Sequence, residues 1–219
     1  GLYRYQPKDD TFVLYSSDKG NTIVPHASIT SLLEDHQGYV WIGTWDQGLY
    51  RYNPSDKSFY AMPSFNPQRS AQTVYESNGA LWVGTWGSGL YRIANPYDTN
   101  KPLALTQYTL ANTNGQLQSN IIWDINRDPN TGMLWVGTSG GLTLVENADQ
   151  PHRNLRSLSA SLNPEPDYFG RGASCFFCDR DKQMWAVAGQ RGIVLAQSNP
   201  LFFSQRLLPP NYLLNNVVS

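Results

Sequence analysis

The sequence predicts an all-β fold of repeated four-stranded antiparallel blades, a β-propeller architecture, and three observations carry that prediction. The composition is aromatic and weakly charged, with 13% Phe, Trp and Tyr against 15% Asp, Glu, Lys and Arg over 219 residues, which suits half-buried pleated surfaces and argues against disorder. A tryptophan-anchored unit recurs along the chain, its anchors at Trp41, Trp82, Trp135 and Trp185 standing 41, 53 and 50 residues apart. Inside each unit, short apolar or alternating runs are separated by turn residues, and the 3.6-residue period of a helical repeat is missing.

The first complete unit, ITSLLEDHQGYVWIGTWDQGLYRYNP from Ile29, sets the element order. Strand a is read over Ile29 to Glu34, strand b over Tyr39 to Thr44, strand c over Gly48 to Tyr52 and strand d over Ser58 to Met62. Turn chemistry separates them: an acidic residue then Gly before the Trp, and Gly before Leu after it. The unit returns as SAQTVYESNGALWVGTWGSGLYRIANP from Ser70, as IIWDINRDPNTGMLWVGTSGGLTLVEN from Ile121, and with more drift as ASCFFCDRDKQMWAVAGQRGIVLAQSNP from Ala173. Four strands per unit and a period of about 40 to 50 residues fit propeller blades.

The predicted organisation is a partial blade and loop over 1–28, blades over 29–69, 70–120, 121–172 and 173–208, and the start of a further blade over 209–219. GLYRY at Gly1 copies GLYRY at Gly48, so the first segment reads as strand c. Length variation falls between strand d and the next strand a, at Ser64–Ser70, Ala111–Asn120 and Ser159–Gly172, where Pro, Asn and Ser collect. Strand alternation puts those loops and the b–c turns on one face. The mismatched ends predict that this segment does not close a ring by itself and that its strand edges are covered by other chain.

Composition also bounds function. With 16 Lys and Arg against 17 Asp and Glu, the chain has no basic field for nucleic acid or anionic lipid. No apolar run approaches the roughly 18 residues of a membrane span. His26, His36 and His152 are scattered without metal-ligand spacing, no nucleophile motif accompanies them, and no Gly-rich loop cradles phosphate, so no catalytic residues, metal or cofactor are expected. Cys175 and Cys178 lie an odd number of positions apart on strand a, which points them to opposite faces and away from a mutual disulfide. Cys175 is placed inward and Cys178 toward solvent, so Cys178 is expected to react first. Asp35, Glu76, Asp128 and Asp179 each precede a tight turn and are read as acceptors for turn N–H groups.

The run EDHQGYVWIGTWDQGLYRYNP resembles the two-component regulator propeller repeat, whose pattern is an apolar strand ending in Glu-Asp, a turn with Gly, then Leu-Trp-Ile-Gly-Thr and Gly-Leu. ESNGALWVGTWGSGLYR and RDPNTGMLWVGTSGGL follow it closely, while Ala186, Val187 and Ala188 depart from it in the fourth unit. The resemblance implies a fragment of a seven-bladed propeller from the periplasmic sensor region of a Bacteroidetes hybrid two-component system, whose parent is anchored in the inner membrane. It further implies carbohydrate sensing with phosphorelay through a histidine kinase outside this segment, and a homodimer in the intact sensor. The expected partners are an oligosaccharide or other small molecule and the other blades of the parent chain, with neither nucleic acid nor membrane touched by this segment. A propeller enzyme of the streptogramin lyase or glycan-active type, and a protein-interaction scaffold, are the competing readings.

Two tryptophans stand apart from the repeat. Trp45 and Trp86 follow Gly-Thr in the b–c turns of consecutive units, where the third and fourth units carry Ser139 and Gly189. An indole that the repeat does not require, at equivalent turns of adjacent blades, is a stacking surface for a sugar ring. Asp46 and Arg191 occupy neighbouring turn positions, and Arg69 and Arg171 lie in inter-blade loops of the same predicted face, so these four are the candidate polar partners.

Overall fold

A computed structural model describes residues 2–14, 28–62, 65, 70–98, 103–150, 153–157, 172–188, 192–199 and 202–207. Every regular element among them is a β-strand. The chain divides into two compact units, Gly1–Gln107 and Tyr108–Ser219.

In the first unit, β1 (Tyr3–Gln6) pairs with β2 (Thr11–Leu14) as an antiparallel ribbon. Two four-stranded sheets follow. One is ordered β3 (Ile29–Glu34), β4 (Val40–Thr44), β5 (Leu49–Asn53) and β6 (Ser58–Ala61); the other runs β7 (Thr73–Ser77), β8 (Ala80–Gly84), β9 (Leu90–Ile93) and β10 (Leu105–Tyr108). In the second unit, β11 (Ile122–Arg127), β12 (Leu134–Thr138), β13 (Gly141–Glu146) and β14 (Asn154–Ser157) form one sheet, and β15 (Cys175–Cys178), β16 (Met184–Val187), β17 (Ile193–Asn199) and β18 (Phe202–Leu207) another. Each sheet thus meets its strands in chain order, as a propeller blade does. The observed strands of the first complete unit fall within one residue of those read from the sequence. Residues 209–219 lie outside the described residues.

The period-2 rule explains the cores. On β4, Trp41 faces the sheet of β7–β10, and both it and its cluster partners Leu49, Val74, Leu81, Val83, Tyr91 and Ile93 are buried. Ile42, one residue on, turns the other way and packs with Tyr50, Tyr52 and Leu2. The second unit repeats the first device: Trp135 on β12 meets Phe176, Met184, Ala186 and Val194 of the next sheet.

The Gly-Thr pair after each buried Trp has a physical role in the seam between sheets. The backbone N–H of Ala71 donates to the Thr44 carbonyl at 2.8 Å, and that of Ala173 donates to the Thr138 carbonyl at 3.0 Å. This close approach leaves no room for a side chain at Gly43 or Gly137, where a Cβ would overlap the Ala71 or Ala173 carbonyl oxygen. The threonine hydroxyls then clamp the b–c turns: Thr44 Oγ1 donates to Gly48 O at 2.7 Å and accepts from Gln47 N at 3.0 Å, and Thr85 does the same with Gly89 and Ser88. A bulge near the start of β3 and another near the start of β11 re-aim side chains toward the following sheet, Thr30 Oγ1 donating to Ala71 O at 2.5 Å and Asp124 accepting from Phe176 N at 2.7 Å.

The cysteine register is the reverse of the sequence reading. Phe176 and Cys178 face the packed cluster around Trp135, while Cys175 is exposed, as is Phe177. The error lay in phase: β15 starts at Cys175 and sets its inward positions at even numbers, a one-residue slip that flips every side chain. Both cysteines are free. Under native conditions a thiol reagent should therefore modify Cys175 before Cys178, measured by mass spectrometry of the two peptides. Burial and the nearby Asp124 carboxylate push the Cys175 thiol up, so its modification should keep accelerating with pH beyond the usual thiol range. Preferential labelling of Cys178 would overturn the register.

Candidate ligand-binding surface

The b–c turns of the first unit present the candidate surface. Strand β4 ends at Thr44 and β8 at Gly84, so Trp45 and Trp86 leave their sheets where the hydroxyl clamps hold the backbone. Each is pinned again from the segment preceding a strand: Trp45 N–H donates to Ser28 O at 2.9 Å, and Trp86 N–H donates to Ser70 Oγ at 2.7 Å. The two indoles converge with ring centroids 5.2 Å apart and planes inclined at 56°. They nevertheless remain 44% and 43% exposed, the only tryptophans among the large exposed hydrophobics of the described residues.

Of the other residues named from the sequence, Asp46 is exposed beside Trp45. Its charge is felt on the Tyr50 side of the sheet, where burial first and the Asp46 carboxylate second push the phenol up. Arg69, Arg171 and Arg191 lie outside the described residues. Sequence reasoning missed the supporting groups, Ser28 and Ser70 under the indole backbones and Gln107, whose Nε2 donates to Ser88 O at 2.8 Å. No repeated residue type marks these contacts, because they are made by loops whose lengths differ from unit to unit.

The opposite turns carry a second polar cluster. Asp35 accepts from the backbone N–H groups of Gln37 and Tyr39 and from Trp41 Nε1 at 2.7 Å, and Asp179 makes the matching bonds to Asp181, Gln183 and Trp185 Nε1. The Trp185 bond and the turn N–H groups hold the Asp179 carboxyl below its ordinary value. Asp128 likewise accepts from Asn130 N at 2.9 Å. Glu76 departs from the turn role expected of it. Its hairpin is the two-residue Asn78-Gly79 turn, both residues at positive φ, which leaves no loop N–H to cap. The carboxylate instead crosses to the neighbouring sheet, accepting from His36 N at 2.9 Å and from Tyr97 Oη at 3.2 Å and pairing with His36 Nδ1. Burial, then Asp35 and Glu76, push the Tyr97 phenol far up.

In the second unit a polar cleft of about 420 Å³ is lined by Arg127, Met133, Glu146, Asn147 and Asp149, among others. Two of its lining residues, Arg127 and Asp149, form an ion pair at 2.9 Å, and a third, Glu146, pairs with Arg156 at 3.1 Å. Among the described residues no three His, Cys, Asp or Glu side chains converge as a metal site.

Residues 23–46 match the model of the two component regulator propeller family. That stretch contains the strand a, turn and Trp-Ile-Gly-Thr segment whose hydrogen bonds are described above. Solved structures agree on the fold. The extracellular domain assigned to a one component system of B. thetaiotaomicron superposes with a TM-score of 0.66 at 24% identity, over 91% of this chain and 25% of that one. The extracellular domain assigned to a hybrid two component system of the same organism gives 0.59 at 18% identity, over 96% and 24%. PorZ, a surface component of the type-IX secretion system of Porphyromonas gingivalis, gives 0.58 at 14% identity, over 90% and 30%. The chain therefore has the β-propeller fold and spans about a quarter of the B. thetaiotaomicron chains. No curated protein matches its sequence. Among the described residues no helix is long and apolar enough to cross a membrane.

Proposed function

We propose that this chain is part of the extracytoplasmic input module of a hybrid two-component signalling protein, that it binds a carbohydrate, and that binding is relayed to a histidine kinase elsewhere in the parent. The observation carrying the ligand half of this reading is the Trp45–Trp86 pair, two exposed indoles in contact at equivalent turns of adjacent sheets. Apolar surface of that size is costly to leave in water and suits the C–H faces of a pyranose. The signalling half rests on the family match and on the extracellular domains that share the fold. A periplasmic location and a homodimeric parent belong to the same proposal, as does a polar contact from Asp46, which is exposed beside Trp45.

Each stacked ring contributes on the order of 1 kcal/mol beyond area burial, so the Trp45→Ala, Trp86→Ala double variant should bind glycan at least tenfold more weakly. Glycan-array binding followed by calorimetry on the best binder measures this, with circular dichroism confirming an unchanged β spectrum. Retained binding in Trp45→Tyr, Trp86→Tyr completes the expected pattern. An affinity unchanged by the alanine pair, or turnover of the glycan, would sink the reading.

A further inference from the structure

The geometry of the indole pair points further, to the shape of chain it accepts. We propose that Trp45 and Trp86 receive two consecutive units of a glycan whose pyranose planes turn from one residue to the next, an α-1,4-linked glucan, and discriminate against flat β-1,4-linked ribbons. This rests on the carbohydrate reading above and narrows it.

The inclination of 56° between the rings is the deciding quantity. In a β-1,4-linked glucose or mannose chain both bonds to each ring are equatorial, so the chain extends and successive pyranose faces stay nearly parallel. Two coplanar aromatic rings can lie flat against such a ribbon. Two rings inclined at 56° cannot: once one indole is stacked, the other meets the next sugar edge-on and loses the C–H contact that makes stacking favourable. An axial C1 bond, as in the α-1,4 linkage, turns each ring relative to the last and coils the chain, and consecutive faces then diverge as the indoles do.

The points from which the two rings project are built in rather than adopted on binding. Each tryptophan is anchored by its own backbone N–H, to Ser28 O and to Ser70 Oγ, and stands on a turn locked by Thr44 or Thr85. The two turns belong to different sheets joined by the Ala71–Thr44 bond and the packed cluster around Trp41. Bringing the rings coplanar would require turning both side chains about their own torsions and out of their mutual contact at 5.2 Å, whereas accepting an inclined pair of sugars requires no movement, and a preorganised surface avoids the ordering cost of binding.

The test is calorimetric titration of the chain with maltohexaose, cellohexaose and mannohexaose, repeated on Trp45→Ala, Trp86→Ala and Trp45→Tyr. Maltohexaose should bind at least tenfold more tightly than either β-linked hexamer, with each alanine variant removing most of the preference and Trp45→Tyr retaining it. Cellohexaose or mannohexaose binding as tightly as maltohexaose, with affinity lost in the alanine variants, would overturn the linkage preference and leave the carbohydrate reading standing. If no hexasaccharide shows a Trp45- or Trp86-dependent affinity, both fail. Trp fluorescence and circular dichroism on each variant separate lost binding from lost folding.

Discussion

Trp41→Ala should lower the unfolding free energy of this chain by about 4 kcal/mol. Trp41 is fully buried between the sheets of β3–β6 and β7–β10, so its removal opens a cavity lined by Leu49, Val74, Leu81 and Ile93. It also removes the indole N–H that donates at 2.7 Å to Oδ2 of Asp35, a residue only 6% exposed. Loss of a hydrogen bond to a buried carboxylate adds to the cavity cost. Urea denaturation of the chain, read by far-ultraviolet circular dichroism, measures the shift. The exposed Trp45→Ala serves as comparison and should cost under about 1 kcal/mol. A loss at Trp41 no larger than that at Trp45 would mean the inter-sheet packing described here is wrong.

Gly43→Ala should cost about 3 kcal/mol although it adds a single methyl group. The reason is a close approach rather than an unusual backbone angle: the added Cβ would overlap the Ala71 carbonyl oxygen and Ser31 Oγ. Ala71 cannot retreat, because its N–H is held by Thr44 O at 2.8 Å and its carbonyl by Thr30 Oγ1 at 2.5 Å. Moving it breaks the backbone bond that joins the two sheets. Gly38→Ala separates this from a generic glycine effect. Gly38 has a positive φ of 83° with open space around it, and substitution there should cost only about 1 kcal/mol from conformation. Equal losses at the two positions, in the same denaturation experiment, would show that the seam is looser than its hydrogen bonds indicate.

These two residues show how much of the fold was legible. The spacing of the tryptophans and the Gly and Asn turns located the strands of the first blade to within a residue, because period-2 alternation and turn chemistry are local properties. The Gly-Thr pair was visible as a motif, but its meaning was not. Only the packed structure shows that the glycine admits the next sheet's carbonyl and that the threonine hydroxyl closes the turn. Glu76 was misread for a related reason: its alignment with Asp35 suggested a turn cap, whereas the shorter Asn78-Gly79 hairpin sends it across to His36 and Tyr97. Cys175 and Cys178 were assigned to the wrong faces, since alternation gives the relative facing of two positions and not which of them is buried.

By itself, then, the sequence determined the all-β class, the four-stranded repeat, the packing of Trp41, Trp82 and Trp135 between blades, and the exceptional position of Trp45 and Trp86, while Trp185, read as packed in the same way, is only half-buried. All of these are written in short-range periodicity and in departures from it. What the tertiary structure decided is how separate repeats meet: the register of β15, the crossing of Glu76 to His36, and the 5.2 Å, 56° pairing of two indoles that lie 41 positions apart in the chain. A repeat fixes the unit, but which side chains of neighbouring units meet follows from the packing and hydrogen bonds of the seam, which no single unit contains.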